Sequence, residues 1–505
     1  MKLNRLFLLI FLFPLLASAQ TPTLVQHVSC ANSGAAGSGA GGTGPISSTP
    51  DYKCPLPEPT QAGNALILGF YSDNTNNPTW TVSDDKANTW VQAVSLTDGS
   101  KLMSIYYALN VAAGTHMLNV HQTTATNGFM SVTASEYFNV ALTSALDTSL
   151  CNAGSSSTTI ATGNITPTVS GDLLWQYAAN KNQTPISPFS AGSQMALGAY
   201  WLLNGTDIAY GNAVQAGVYT ATAQINPTFT SGTAQPFDSC VIALKPAPVG
   251  NPTGNSPSKT FRIVHMLHQA ILAGSRQTFP AQFPASGNLI LASHIAGTDQ
   301  ISSISSVPSN TWTQVGSALS YGSDVVSQIY YAGNATTSNA MTLSFSRDQT
   351  GDATEIIYDV TGADVSPFDK GSPGETNTQH NIVSSLTTCA GCMAPSGVTG
   401  ANELVIGNVG NAWCTNIAVT SPVGSIFDTA TYTGNGWNGP EDVDQNNGWF
   451  HLYTSSTSPL TVTWTYTCDG VNPQEDWAGR LAAFKSASSV AQQPPPPTQL
   501  KAVVN

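Results

Sequence analysis

The sequence is poor in charged residues. Of its 505 residues, 9% are Asp, Glu, Lys or Arg, against about 25% in an average globular domain. Only 15 are Lys or Arg, against 28 Asp or Glu, and the formal net charge is −13. A surface with this balance repels phosphate backbones, so the composition argues against a nucleic acid partner.

Apolar runs long enough to span a membrane are also missing. The run over residues 6–16 is shorter than the roughly 20 residues that a spanning helix needs. Lys2 and Arg5 precede it and Ala17-Ser18-Ala19 follows, which is the pattern of a secretory signal peptide. We therefore expect residues 1–19 to be removed, and the mature protein to be secreted, extracellular or at the cell surface, without a membrane span.

No window carries the 3.6-residue apolar stripe of a capped helix. Short runs of alternating apolar and polar residues recur instead, between clusters of Gly, Asn, Asp, Ser and Pro. Leu460 to Tyr466, for example, alternates strictly and is typical of a half-buried strand. The sequence predicts an all-β protein with two tandem antiparallel β-sandwich domains of Ig-like or jelly-roll type.

The number of domains follows from an internal repeat. Six segments recur in the same order, with offsets of 222 to 240 residues: 63–68 with 287–291, 88–92 with 310–314, 105–108 with 329–332, 146–147 with 368–369, 171–174 with 402–405, and 241–245 with 481–485. A period of this length indicates a duplicated domain and excludes a solenoid. We predict a first copy over 20–245, an exposed Pro/Gly/Asn linker over 246–258, a second copy over 259–487 and a disordered Pro-rich tail over 488–505.

The cysteines divide evenly between the copies. They are Cys30, Cys54, Cys151 and Cys240 in the first copy, and Cys389, Cys392, Cys414 and Cys468 in the second. An even number in each half of an exported chain predicts disulfides within each copy, and we expect pairs Cys30–Cys54 and Cys414–Cys468. The alternatives are redox chemistry at Cys389 and Cys392 and a zinc site formed by the four cysteines of the second copy.

Carboxylates are the candidates for catalysis, because glycoside cleavage requires only two of them. Those on predicted strands are Glu136, Asp147, Asp172, Glu355, Asp359, Asp369 and Glu403. Asp147 matches Asp369 in the repeat, and Asp172 matches Glu403. Both matched sets lie at strand edges beside turn residues, where acidic side chains commonly cap turns. A structural role therefore competes with a catalytic one.

One acidic loop of the second copy has the spacing of a calcium site. Asp442, Asp444 and Asn446 stand at alternate positions, like the first ligands of a calcium-binding loop. The sixth position is Asn447 where such loops have Gly, and no Glu stands at the twelfth. We therefore expect no cofactor, with calcium at this loop as the alternative.

Three tryptophans lie in or near this loop. Trp413, Trp437 and Trp449 could offer flat apolar faces to sugar rings. Aromatic side chains also fill protein cores, so the same three residues have a structural interpretation. The sequence alone leaves both open.

The repeat itself resembles one found in uncharacterised secreted bacterial β-sandwich proteins, often beside Ig-like or fibronectin-like modules. The second copy carries the resemblance in Gly-Asn-Leu-Ile, Asn-Thr-Trp-Thr, Ile-Tyr-Tyr-Ala, Pro-Phe-Asp and Ala-Ala-Phe-Lys. The resemblance implies a sandwich fold and an extracellular setting, and it brings no catalytic residues. We therefore expect a non-catalytic surface or extracellular module that binds a glycan or a cell-surface protein. The alternative is a glycan-active hydrolase with paired carboxylates on one copy.

Overall fold

The structure is a computed structural model. It describes residues 20–32, 51–73, 79–123, 130–181, 189–191, 201–202, 212–271, 278–283, 285–297, 299–321, 325–338, 341–348, 353–371, 375–379, 386–389, 399–411, 414–421, 424–428, 431–433, 447–455, 457, 460, 462–468 and 475–487. The predicted signal peptide and the predicted tail lie outside these ranges. Within them, no helix is long and apolar enough to cross a membrane.

The described residues form strands, which confirms the all-β prediction. The strands of the first copy are β1 (Thr23–Asn32), β2 (Asp51–Pro55), β3 (Ala65–Asp73), β4 (Trp80–Asp84), β5 (Trp90–Asp98), β6 (Lys101–Ala108), β7 (Met117–Gln122), β8 (Met130–Phe138), β9 (Leu146–Ala161), β10 (Asp172–Asn180), β11 (Phe189–Ala191), β12 (Trp201–Leu202), β13 (Asn212–Tyr219) and β14 (Thr228–Leu244). The strands of the second copy are β15 (Arg262–Ile271), β16 (Thr278–Phe283), β17 (Leu289–Ala296), β18 (Ile301–Val307), β19 (Thr313–Gln314), β20 (Leu319–Tyr321), β21 (Val325–Gly333), β22 (Met341–Arg347), β23 (Ala353–Thr361), β24 (Ala363–Gly371), β25 (Glu375–Gln379), β26 (Leu386–Cys389), β27 (Leu404–Asn411), β28 (Cys414–Ser421), β29 (Ile426–Phe427), β30 (Thr431–Thr433), β31 (Asn447–Tyr453), β32 (Thr463–Cys468) and β33 (Glu475–Ser486).

The two copies share one central sheet of 11 strands, in the order β19-β21-β17-β23-β15-β1-β8-β3-β6-β5, with β20 beside β21. The copies meet where β1 pairs with β15 in parallel, with Val28 opposite Met266. This arrangement differs from the prediction of two separate tandem sandwiches. If each copy formed its own sheet, β1 and β15 would be edge strands with a row of free N–H and C=O groups. Their pairing joins the two sheets and satisfies these groups.

Smaller sheets cover both faces of the central sheet. One face packs against β9-β14-β10-β13 of the first copy and β16-β22-β18 of the second. The other face packs against β2-β7-β4 of the first copy and β24-β33-β27-β31 of the second. Matched residues point to opposite faces, since Leu66 and its counterpart Ile290 lie in different core clusters. The copies are therefore related by a two-fold rotation about an axis parallel to the central strands.

The repeated Asn-Thr-Trp motif shapes a loop in each copy. The Asn88 side-chain oxygen accepts a hydrogen bond from the Ala112 N–H at 2.8 Å. In the second copy, the Asn310 oxygen accepts the same bond from Thr336 at 2.7 Å. In the first copy this bond joins the loop before β5 to the loop after β6. In the second copy it joins the loop before β19 to the loop after β21. Its recurrence reflects folding and carries no information about a ligand.

The segment 246–258, which we predicted to be an exposed linker, packs against the first copy. Thr253 is 7% exposed, and its carbonyl accepts a hydrogen bond from the Asn139 N–H at 2.8 Å. The Asn64 side chain accepts from the Asn255 N–H at 2.7 Å and donates to the Asn255 carbonyl at 3.2 Å. Residues 248–252 are exposed, and the segment is nevertheless held against the first copy because the Asn64 amide bonds both backbone groups of Asn255, as a neighbouring strand would.

Both disulfides of the first copy are present. The predicted Cys30–Cys54 bond is confirmed and joins β1 to β2, and Cys151–Cys240 joins β9 to β14. Cys240 is paired across the sheet with Tyr177, and at the equivalent position of the second copy Arg480 is paired with Asn408. The second copy thus has an arginine in place of this cysteine. The shared frame therefore does not require that bond.

The cysteines of the second copy are described only in part. Cys414 and Cys468 lie directly opposite each other on β28 and β32, as a disulfide between them requires. Cys389 ends β26, while Cys392 and the side chains of the other three lie outside the described residues.

Replacing Cys30 and Cys54 together by Ala is expected to lower the free energy of unfolding by about 3 kcal/mol. The bond closes a loop with a sequence separation of 24 and so restricts the unfolded chain. Urea denaturation followed by tryptophan fluorescence measures the change. An unchanged midpoint would contradict the stabilising role of this bond.

Candidate functional site

Each copy holds a pair of acidic side chains at the start of its outer sheet. In the first copy, Asp147 accepts hydrogen bonds from the Thr168 N–H and hydroxyl, both at 2.5 Å. In the second, Asp369 accepts the same two bonds from Thr399 at 2.8 and 2.5 Å. The residues that match in the sequence thus have the same partners in the structure.

The second acid of each pair hydrogen-bonds to the first. Burial, followed by the hydrogen bond to Asp147 and its negative charge, raises the pKa of Asp172 to about 7. Burial and the Asp369 carboxylate raise the pKa of Glu403 to about 7 in the same way. Burial opposes ionisation of Asp147 and Asp369 as well, but hydrogen bonds from threonine outweigh it and lower the pKa of both. Each pair therefore shares one proton near neutral pH.

This geometry is unsuited to glycoside cleavage. The two carboxyl groups of a glycosidase stand about 5 to 9.5 Å apart, with the sugar carbon or a water between them. A direct hydrogen bond leaves no such space. A dyad that shares a proton can activate water, but Asp172 is 0% exposed and Glu403 is 1% exposed. The presence of the pair in both copies indicates that it belongs to the duplicated frame.

A cleft of about 910 Å³ opens beside the acidic pair of the second copy. Its walls come from segments 258–261, 399–403, 453–455 and 485–487, together with Gly362 and Asp364. Six of the lining residues are Ser or Thr, and Asn402 adds an amide. Phe261 and Tyr453 form an aromatic corner, with ring centroids 6.1 Å apart. The cleft is therefore a polar, hydroxyl-rich surface with a limited aromatic area.

A charged network lies behind the cleft, where the two copies meet. His451 Nδ1 is 2.8 Å from Asp428 Oδ1, and His451 Nε2 is 3.9 Å from Glu58 Oε1. The Tyr453 hydroxyl donates to the Glu58 carboxylate, which also accepts the Ile263 N–H at 3.1 Å. Glu58 belongs to the first copy and the other four residues to the second. The network thus joins one wall of the cleft to the opposite copy.

The imidazole in this network is positively charged at neutral pH. Burial alone would lower the pKa of His451, but the charge of Asp428, the hydrogen bond to Asp428 and the charge of Glu58 raise it to about 10. Burial would raise the pKa of Glu58, and the charge of His451 together with the hydrogen bonds from Tyr453 and the Ile263 N–H lowers it instead. The result is a buried cation between two carboxylates, which is strongly destabilised when any one partner is removed.

The remaining candidate carboxylates have internal partners. Glu136 accepts hydrogen bonds from two amide side chains at 2.6 Å. Asp359 lies 2.6 Å from His265 Nδ1, and Glu355 lies 2.9 Å from His294 Nδ1. All three acids are at most 1% exposed. These side chains satisfy each other within the sheets.

Of the residues predicted to bind a ligand, the structure describes only Trp449. Its ring is fully buried in the core, and its indole N–H donates to the Ser293 hydroxyl at 3.0 Å. Trp449 therefore fills the core and offers no face to a sugar, because its strand has both faces covered. The other predicted ligand residues, Trp413, Trp437, Asp442, Asp444 and Asn446, lie outside the described residues. Across the part of the chain that is described, no group of three His, Cys, Asp or Glu side chains could hold a metal.

Of the cleft residues, the sequence pointed to Glu403 alone, and it did not predict the charged network. Lys485 ends a repeated strand and could have been singled out by that match. Nothing in the sequence links Glu58 to Tyr453, which are 395 residues apart. Comparison of the chain with protein-family models, with curated proteins and with solved structures gave no match. The function must therefore be argued from the geometry.

Proposed function

We propose that this protein is an extracellular, non-catalytic binding protein whose cleft in the second copy holds a glycan. The hydroxyl-rich wall carries the proposal, because sugar hydroxyl groups bind by exchanging hydrogen bonds with such side chains. The signal peptide pattern over 1–19 supports the extracellular location, as do the two disulfides of the first copy. The resemblance of the repeat to secreted bacterial β-sandwich proteins agrees with this setting.

The hydrolase alternative is less favoured. It would use Glu403 as the general acid, and the raised pKa of this residue suits that role. Its partner Asp369 is too close to leave room for a substrate atom. The same pair in the first copy is fully buried at Asp172. Release of reducing sugar from any glycan that binds, abolished by Glu403→Gln, would establish the hydrolase and overturn the non-catalytic proposal.

Filling the cleft tests the binding function. Ser455 is exposed on the cleft wall, and Ser455→Trp is expected to weaken glycan binding at least tenfold by steric occlusion. Binding would be screened on a glycan array and quantified by calorimetry.

Thr220→Trp is the matched control. Leu173 and Leu404 are matched residues of the two copies. Val218 is the cross-strand partner of Leu173, and Tyr453 is the cross-strand partner of Leu404. Two residues further along, Thr220 in the first copy therefore corresponds to Ser455 in the second. This variant should bind like the wild type. If neither variant changes the affinity, the glycan binds elsewhere; if the array is silent, a protein partner replaces the glycan.

A further inference from the structure

Two of the few cations in this protein line the cleft. The chain has 15 Lys and Arg residues, and both Lys259 and Lys485 belong to the cleft wall. The Lys259 ammonium stands 4.0 Å from the centroid of the Tyr453 ring. Neither lysine forms an ion pair with any residue that the structure describes. Two cations without carboxylate partners are therefore presented to whatever occupies the cleft.

The other copy treats the equivalent lysine differently. The matched residues Leu173 and Leu404 are paired across the sheet with Leu244 and Phe484, respectively. The residues that follow these partners, Lys245 and Lys485, therefore occupy equivalent positions in the two copies. Lys245 Nζ is 3.5 Å from a carboxylate oxygen of its acidic pair, whereas Lys485 contributes to the cleft. The charge of Lys245 is thus balanced by Asp147 in the first copy, whereas Lys485 lines the cleft in the second copy.

The first copy also covers the corresponding surface. In both copies the residue two after this lysine, Ala247 or Ala487, donates its N–H to the residue that follows a central strand, Asn139 after β8 or Gly362 after β23. The first copy then continues into the linker, where Thr253 accepts a hydrogen bond from Asn139. The linker therefore occupies the place that forms an open cleft in the second copy. The open cleft and the unpaired lysine occur together.

The acids of the cleft have hydrogen-bond partners other than these cations. Glu403 shares a proton with Asp369 and accepts the Gly400 N–H at 2.7 Å. Asp364 accepts the N–H of Ser366 at 2.9 Å, in its own turn. The pair keeps one negative charge and Asp364 carries another, so these groups together are close to neutral, but among the described residues neither acid forms an ion pair with Lys259 or Lys485.

We propose that the cleft selects acidic glycans, with Lys259 and Lys485 pairing with the carboxylates of uronic acid residues. This inference rests on the proposed glycan-binding function and names the class of glycan. Charge-assisted hydrogen bonds from lysine would hold the carboxylates, and the serine and threonine hydroxyls would hold the sugar hydroxyls. The acidic remainder of the surface would repel polyanions elsewhere and direct them to this site.

Oligogalacturonate and its methyl ester, tested at equal length, separate charge recognition from sugar recognition. The full-length protein should bind the acid form at least tenfold more tightly than the ester, with an affinity that falls as salt is added. Lys259→Gln and Lys485→Gln should each weaken binding of the acid form about tenfold and leave binding of the ester unchanged. Calorimetry at pH 6 would measure all six affinities.

Lys245→Gln is the matched control, because it removes the same charge at the equivalent position outside the cleft. A loss of affinity as large as that of Lys485→Gln would show a general charge effect and overturn the inference. Equal binding of acid and ester would also overturn it, while leaving the glycan-binding function intact. Failure to bind any saccharide on the array would overturn both.

Discussion

The double variant Asp172→Asn/Glu403→Gln is expected to gain stability over the wild type as the pH rises from 4.5 to 7.5. Both carboxyls have a pKa of about 7 in the folded protein and about 4 when unfolded. A raised pKa stabilises the fold fully below pH 4, and this contribution is lost as the pH rises towards 7. Asn and Gln donate to the partner carboxylate at every pH, so the variant avoids the loss.

The expected difference between variant and wild type is about 2 kcal/mol for each pair across this range. The partner acids Asp147 and Asp369 stay ionised throughout, because their pKa values are lowered. Buried histidines such as His27, whose pKa is also lowered, change the stability of both proteins equally and cancel in the comparison. Urea denaturation at four pH values from 4.5 to 7.5 measures the difference.

Asp364→Asn provides the control for this series. This residue lies in the same cleft, and its carboxylate accepts a backbone N–H at 2.9 Å. The free energy of unfolding of this variant at the same pH values shows what the loss of one cleft carboxyl does outside the acidic pairs. If the difference for Asp172→Asn/Glu403→Gln depends on pH no more steeply than that for Asp364→Asn, the acidic pairs do not share protons.

His451→Phe is expected to lower the free energy of unfolding by about 3 to 5 kcal/mol at pH 7. The substitution keeps a ring in the core but removes the cation between Asp428 and Glu58. Asp428 is fully buried and lies 2.8 Å from His451 Nδ1. An uncompensated carboxylate at that depth has lost its hydration without gaining a partner. Urea denaturation at pH 7 gives the change directly.

The double variant His451→Phe/Asp428→Leu separates a lost ion pair from a packing defect. Removing both charges should recover part of the stability, because replacing a buried ion pair by apolar side chains is often close to neutral. The Tyr358 hydroxyl, which donates to Asp428 at 3.0 Å, would then lose its acceptor and limit the recovery. A single variant that loses less than about 1 kcal/mol, or a double variant that recovers nothing, would contradict a charged His451.

The sequence predicted those features that depend on short stretches of chain. Period-two alternation identifies strands such as β7 and β22 because successive side chains point to opposite faces. The six repeated segments located the acidic pairs correctly, since matched residues occupy matched positions in each sheet. Cys30 and Cys54 were paired from their proximity in the chain. Each of these patterns depends on short stretches of sequence alone.

Burial of particular side chains could not be predicted in the same way. Trp449 lies in the run Trp-Phe-His-Leu-Tyr, which fits an exposed aromatic ledge as well as a covered strand. The outer sheet of the second copy packs onto the central sheet, and this packing places Trp449 in the core. The linker over 246–258 has the composition of an exposed segment, yet Asn64 holds it against the first copy.

The amino-acid sequence by itself determined that this protein is all-β, and it showed which short segments recur along the chain and which acids they carry. The tertiary structure alone decided that β1 pairs with β15, that Glu58 meets His451, and that Lys485 faces a cleft while Lys245 pairs with Asp147. Alternation and repeats are local signals, whereas edge pairing and charge networks join residues hundreds of positions apart. No local pattern records such a meeting, so only the packed sheets reveal the site.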